Sequence, residues 1–121
     1  MIAAIDIGTN SIRMAIAQVL IDGGIEPLEH LERAVRLGQD TFQRGSLSRG
    51  TMRAALNILR DYRRVLDTFG VGHVRAVATS AVREATNTDT FLDRVGMATG
   101  FEIAVLDTPE ACRLIVTAAL H

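Results

Sequence analysis

Residues 5–11 are Ile5-Asp6-Ile7-Gly8-Thr9-Asn10-Ser11, a short polar segment set between two apolar runs. Residues 1–7 are nearly all apolar, as expected of a strand that is buried on both faces. Residues 12–21 are again mostly apolar. The segment is therefore predicted to be a tight turn that joins two neighbouring β-strands.

This turn carries the donors that a phosphate group needs. Gly8 lets backbone N–H groups approach an anion without a Cβ in the way, and Thr9, Asn10 and Ser11 add side-chain donors of short reach. The carboxylate of Asp6 would repel phosphate unless a divalent cation lay between them, so Asp6 predicts Mg²⁺, bound through water. The same residue types also form ordinary β-turns, so the turn by itself leaves both interpretations open.

The next part of the chain predicts a hairpin followed by a long helix. Asp22-Gly23-Gly24 is typical of a hairpin turn, and a third strand is predicted at 25–37, where Pro27 favours an edge position. Residues 38–48 are predicted to form a polar loop that ends at Ser48, a helix N-cap. An amphipathic helix should follow and end at Gly70, with Arg60, Arg63 and Arg64 on its solvated face.

The remaining residues predict strands that alternate with helices. We expect a strand at 71–78, a short helical turn from Thr79, a helix capped by Asn87 or Thr88 and ended by Gly100, a strand at 101–106, and a last helix from Asp107-Thr108-Pro109-Glu110. The order β-β-β-α-β-α-β-α predicts an α/β fold, a five-stranded mixed sheet with helices on its faces. The 121 residues suit a single domain, 1–121, and the abrupt end at His121 suggests a piece of a longer protein.

Composition argues against several classes of function. The net charge of -1 does not favour nucleic acid or a membrane surface as a partner, and one Tyr with no Trp offers no stacking platform for single-stranded nucleic acid. No apolar run approaches the ~18 residues of a membrane span. Cys112 is the only cysteine, and the start lacks a signal-peptide pattern, so a cytoplasmic protein is predicted.

Three segments together resemble the exopolyphosphatase / guanosine pentaphosphate phosphohydrolase (Ppx/GppA) family. They are the turn with Ile12-Arg13-Met14, the stretch from Val74 to Ala85, and Phe101-Glu102-Ile103 with Glu110-Ala111-Cys112-Arg113-Leu114-Ile115. The resemblance covers nearly the whole chain. It implies a ribonuclease-H-like domain of the superfamily that includes sugar kinases, heat-shock chaperone ATPases and actin.

The resemblance also implies a reaction and a set of site residues. The reaction is Mg²⁺-dependent hydrolysis of terminal phosphate from inorganic polyphosphate, guanosine pentaphosphate, or both. Gly8, Thr9, Asn10, Ser11 and Arg83 would hold phosphate, and Glu110 would be the general base that activates water. Considered without the family, Arg83 is also explained by an ion pair with Glu84, and Glu110 by its favourable place at a helix start. The family usually has a Ser-Gly pair and an extra acidic residue before this Glu, whereas this chain has Asp107-Thr108-Pro109, so we expect the local backbone to differ from that of the family.

The superfamily builds its cleft from two domains. The second glycine-rich phosphate loop is not found in these 121 residues, so we expect this chain to supply half of an active site. Its expected partners are a C-terminal domain of the same polypeptide and, in the full-length protein, a second copy in a homodimer. Two alternatives stay open: a sugar- or acetate-kinase-like half domain, and a non-catalytic phosphate-binding or sensing domain. The sequence does not choose between polyphosphate and guanosine pentaphosphate.

Overall fold

A computed structural model describes residues 1–106 of the chain. The predicted last helix and Glu110 lie outside the described residues. Within them, the strands are β1 (Ile2–Ile7), β2 (Ser11–Val19), β3 (Ile25–Ala34), β4 (His73–Ala78) and β5 (Ile103–Val105). The helices are α1 (Leu37–Arg44), α2 (Arg49–Phe69), α3 (Ser80–Arg83) and α4 (Thr88–Thr99).

The strands form one mixed sheet in the order β3-β2-β1-β4-β5. β1 pairs antiparallel with β2, and β2 with β3, whereas β1 pairs parallel with β4 and β4 with β5. This topology confirms the predicted ribonuclease-H-like fold. β3 lies at an edge, as Pro27 predicted, and a bulge interrupts its pairing with β2 between Ile16 and Ala17, where the partner residues skip from Glu29 to Pro27.

The main core lies between α2 and one face of the sheet. Alternate residues of β1 and β2 point to this face, and the apolar stripe of α2 belongs to the same buried cluster. Tyr62 of α2 is buried, and its hydroxyl donates a hydrogen bond of 2.7 Å to the carbonyl oxygen of Ile12 in β2. This bond ties the middle of the helix to the strand that follows the turn.

The helix ends agree with the sequence except at the start of α4. The Ser48 hydroxyl accepts a 3.2 Å hydrogen bond from the Thr51 N–H and caps α2, while Gly70 and Gly100 end α2 and α4 with φ of +74° and +76°. Asn87 occupies the N-cap position of α4, but its side chain does not cap that helix. It bonds to Leu47 instead, accepting from the N–H at 2.9 Å and donating to the carbonyl at 2.8 Å.

Two predictions on the first half of the chain were wrong. The third strand ends at Ala34, and the predicted loop at 38–48 contains α1. Helix α1 has only 8 residues, which is too short to be stable alone, so tertiary contacts decide its existence. Thr41 supplies one of them, because its buried hydroxyl donates 2.7 Å to the carbonyl oxygen of Ala81 in α3.

The solvated face of α2 includes fewer of the predicted arginines than expected. Arg60 and Arg64 are exposed, but Arg63 is half-buried. Its guanidinium carbon lies 5.2 Å from the centre of the Phe101 ring, and its Nη2 lies 2.8 Å from Asp67 Oδ1. Arg63 therefore helps to cover the chain between α4 and β5.

Candidate active site

The strand pairing brings the turn and the start of α3 to the same edge of the sheet. β1 and β4 are parallel, and Ile7 lies opposite Ala78, so both strands end together. The Thr79 N–H donates a 3.3 Å hydrogen bond to the Ile7 carbonyl. β5 ends there too, because the Leu106 N–H donates 2.9 Å to the carbonyl of Ala78. Three chain segments thus leave the sheet side by side, the arrangement in which α/β proteins build ligand sites.

The turn itself is a two-residue connection at Thr9 and Asn10. The Gly8 N–H donates to the Ser11 carbonyl oxygen at 2.9 Å, so this amide is used inside the turn. A Cβ on Gly8 would lie 3.2 Å from that same oxygen, which makes glycine the residue that fits this close approach. Neither Thr9 nor Asn10 has a positive φ, so this is not the type I′ turn favoured in hairpins.

Helix α1 and Val35, two residues before it, hold the turn from outside. The Gly38 N–H donates to the Thr9 carbonyl at 2.9 Å, and the Val35 N–H donates to the Asn10 carbonyl at 3.1 Å. Both loop carbonyls are therefore bonded away from the sheet edge. Sequence reasoning missed this support. The sequence contains only a weak signal for it, which is the four-residue spacing of Leu37 and Thr41 followed by Gly45 as a helix end.

The side chain of Ser11 is engaged on the β3 side of the turn. Its hydroxyl donates 3.0 Å to Glu32 Oε2, and the same oxygen lies 2.8 Å from Arg13 Nε. Arg13 also lies opposite Asp6 in the pairing of β1 with β2. The structure thus adds a guanidinium, with a side chain 58% exposed, to the polar residues beside the turn.

Arg83 closes α3 with its guanidinium turned toward the end of β5. Nη1 donates 3.3 Å to the Leu106 carbonyl, and Nη2 lies 3.3 Å from Glu84 Oε1. The ion pair with Glu84 that explains Arg83 without a function is therefore present. The Arg83 side chain remains 31% exposed, so it is accessible from the solvent at this edge.

A family comparison identifies the class of protein to which the chain belongs. The family model described as Ppx/GppA phosphatase family matches residues 14–121. The chain belongs to the Ppx/GppA phosphatase family. The resemblance drawn from its motifs is thereby confirmed.

Individual members of the Ppx/GppA family are similar to this chain in sequence and in structure. A guanosine-5'-triphosphate,3'-diphosphate pyrophosphatase of Aliivibrio fischeri is 31% identical over 121 residues, all of this chain but only 24% of that protein. The Aquifex aeolicus family member superposes with a TM-score of 0.85 at 36% identity, covering 91% of this chain and 35% of that one. An exopolyphosphatase of Cytophaga hutchinsonii gives a TM-score of 0.83 at 33% identity, covering 88% and 34%. The chain therefore spans about a quarter of the curated relatives and about a third of the solved structures that it matches.

A magnesium ion at Asp6 would have to be held mostly by water and phosphate oxygens. Among residues 1–106, no group of three or more His, Cys, Asp or Glu side chains could enclose a metal. Mg²⁺ in general needs fewer protein ligands, because it is commonly held by one or two carboxylates with water and phosphate oxygens. Asp6, half-buried next to the end of β1, fits that mode.

In the same part of the chain, no helix has both the length and the apolar content needed to cross a bilayer.

Proposed function

We propose that the polypeptide to which this chain belongs hydrolyses terminal phosphate from inorganic polyphosphate, guanosine pentaphosphate, or both. The observation that carries the proposal is the meeting of the turn, α3 and the end of β5 at one sheet edge, in a chain of the Ppx/GppA family. The names of the relatives, a guanosine-5'-triphosphate,3'-diphosphate pyrophosphatase and an exopolyphosphatase, support phosphoanhydride hydrolysis as the reaction class.

The phosphate group binds between the turn and Arg83 in this proposal. Gly8, Thr9, Asn10 and Ser11 supply short-range donors, and Arg83 supplies a guanidinium that suits two phosphate oxygens at once. The partial exposure of Arg83 supports this role, since its side chain can be approached from solvent. For Ser11 to donate to phosphate, its hydroxyl must turn away from Glu32, to which it is bonded in the structure.

Glu110 is the proposed general base. It comes four residues after Leu106, the residue whose carbonyl accepts from Arg83. Its carboxylate orients a water molecule and takes its proton while the water oxygen attacks the terminal phosphorus and the bridging P–O bond breaks. Asp6 would hold Mg²⁺ with water and phosphate oxygens, and the ion, when bound, would neutralise phosphate charge.

The chain supplies one part of the site in this proposal. A C-terminal domain of the same polypeptide would provide the opposite wall, which accords with the 24% share of the relatives that this chain spans. A cytoplasmic homodimer is the proposed form of the full-length protein.

The test is phosphate release by the full-length polypeptide with Mg²⁺ and each of the two substrates. Glu110→Gln should lower the turnover number by about 100-fold or more, because the water then loses its base. Glu84→Gln, an exposed glutamate outside the proposed chemistry, is the matched control and should retain activity. Full activity of Glu110→Gln would refute the assignment and would favour a non-catalytic domain.

The isolated 121-residue chain provides a second, independent test. It should release almost no phosphate, because half of the cleft is missing. Efficient hydrolysis by this chain that Glu110→Gln abolishes would show that the site is complete here. Transfer of phosphate from ATP to a small alcohol or carboxylate, in preference to water, would instead identify a kinase.

A further inference from the structure

A basic surface separate from the candidate active site lies on the outside of α2 and α4. It is an open groove of about 460 Å³, and we call it the arginine groove. Four of its six lining residues are arginines, the full set being Arg49, Arg53, Leu56, Asn57, Arg60 and Arg94. None of these six is acidic or aromatic. All four arginines are exposed.

Within residues 1–106, none of these four arginines has a carboxylate partner, whereas five of the other eight arginines do. Across residues 1–106, the ion pairs use Arg13, Arg33, Arg63, Arg64 and Arg83, and none uses an arginine of the groove. Arg60 has only a 3.5 Å contact with the amide oxygen of Asn57. Four arginines that form no ion pair within residues 1–106 therefore share one groove in a chain whose net charge is -1.

Helix stability does not explain this arrangement. Arg49 is the first residue of α2, and the first turn contains no acidic residue, so a positive charge stands at the positive end of the helix dipole. Arg49 and Arg53 are four residues apart, where like charges repel on a helix surface. Departures from local rules of this kind are typical of functional surfaces.

We propose that the arginine groove, none of whose lining residues belongs to the turn, binds an extended phosphate chain. The charges run along about 16 Å of α2, at ~1.5 Å per residue from Arg49 to Arg60, and so they suit a linear polyanion better than a single small anion. Guanidinium groups bind phosphate oxygens in pairs. None of the described residues that line the groove is an aromatic on which a base could stack, which favours inorganic polyphosphate over single-stranded nucleic acid. The choice of polyphosphate rests on the proposed function, whereas the anion binding itself does not.

The experiment measures binding of long-chain polyphosphate to the 121-residue chain over a series of salt concentrations. Arg53→Ala with Arg94→Ala should weaken binding by at least about tenfold, since two charge-assisted contacts are lost. The slope of the logarithm of the binding constant against the logarithm of the salt concentration should also become shallower by about 0.7 for each contact removed. Arg44→Ala with Arg75→Ala removes the same charge from exposed residues outside the groove and should change binding less than about threefold.

Three results would overturn the proposal. Equal loss in both double variants would mean that only overall charge matters. An unchanged affinity in Arg53→Ala/Arg94→Ala would place the polyphosphate elsewhere. Tighter groove-dependent binding of single-stranded RNA would make the ligand a nucleic acid.

The full-length polypeptide separates this proposal from the hydrolysis. Arg53→Ala/Arg94→Ala should raise KM for long polyphosphate while leaving kcat and the hydrolysis of tripolyphosphate unchanged. Glu110→Gln should abolish hydrolysis without reducing polyphosphate binding at the groove. A groove variant whose KM for long chains does not change would show that the rest of the polypeptide covers this surface, and the proposal would fail.

Discussion

Gly38 lies directly against Thr9, the first loop residue of the turn. Its N–H donates a hydrogen bond of 2.9 Å to the Thr9 carbonyl, and a Cβ on Gly38 would stand only 2.1 Å from Thr9 Cγ2. Helix α1 therefore supports the turn through a contact that has no room for a larger residue. This contact is one of those that hold the turn with the proposed phosphate donors in place.

The first prediction concerns that contact. Gly38→Ala should lower the free energy of unfolding by about 1–3 kcal/mol, because the new methyl group forces Thr9 or α1 to move. A loss of stability would be informative, because alanine in a helix otherwise stabilises the fold by up to about 1 kcal/mol relative to glycine. Urea denaturation of the two proteins measures the difference.

Thr9→Ser is the matched variant for this test. It removes Cγ2 and keeps the hydroxyl, so Gly38→Ala should cost much less in a Thr9→Ser background. An alanine variant as stable as the parent, or a cost that Thr9→Ser does not reduce, would contradict the described contact.

The second prediction is a pH dependence that originates at Asp40. Hydrogen bonds from the hydroxyls of Thr51 and Ser48 and from the Ser48 N–H, the last at 2.8 Å, hold the Asp40 pKa below its usual 3.8. Because the native pKa is the lower one, the contribution of Asp40 to stability is complete above pH 3.8 and is lost as the pH falls through the native pKa.

Asp40→Asn should therefore destabilise the fold by about 1 kcal/mol near neutral pH. The difference from the parent should be largest above pH 3.8 and should shrink as the pH falls below that value, because the parent's carboxylate is protonated only as the pH passes through its lowered native pKa. Urea unfolding at several pH values follows the difference. A difference that stays constant across this range would show that Asp40 does not act as a charged acceptor.

The third prediction uses Tyr62, the only tyrosine of a chain without tryptophan. Burial raises the pKa of the Tyr62 phenol above its ordinary 10.0. Phenolate absorbance should therefore appear at higher pH in the native protein than in urea, with no other chromophore to confuse the reading. Stability from the neutral phenol is complete below pH 10.0 and is lost as the pH rises through the native pKa.

Tyr62→Phe separates the hydroxyl from the ring. It removes the hydrogen bond to the Ile12 carbonyl and should cost about 1 kcal/mol in urea denaturation while leaving the core filled. A native titration that coincides with the unfolded one would mean that Tyr62 is not buried.

The long elements could be predicted because their patterns are strong and local. The stripe of α2 has Ser48 before it and Gly70 after it, and Pro27 restricted β3 to an edge. The placement of the turn and the start of α3 at one end of the sheet also followed from the sequence, since parallel strands end at a common edge.

Helix α1 and the role of Asn87 could not be predicted in the same way. Gly38 and Asn87 look like loop and capping residues, but each is fixed by a backbone group far along the chain, Thr9 in one case and Leu47 in the other. Such long-range hydrogen bonds leave no periodic trace in the sequence. The masking of Ser11 by Glu32 has the same origin, because it depends on the pairing of β2 with β3.

The last prediction decides between the two interpretations of Arg83. If Arg83 binds phosphate, Arg83→Gln in the full-length polypeptide should lower kcat/KM for polyphosphate or guanosine pentaphosphate by about 100-fold or more. Arg83→Lys should recover only part of the activity, because an ammonium keeps the charge but loses the paired donors.

If Arg83 serves only its ion pair with Glu84, then Glu84→Gln should reduce activity as much as Arg83→Gln does. We expect Glu84→Gln to remain close to the parent, since both side chains are partly exposed and such pairs contribute little to stability. Equal losses in the two variants would assign Arg83 a structural role and would remove it from the phosphate site.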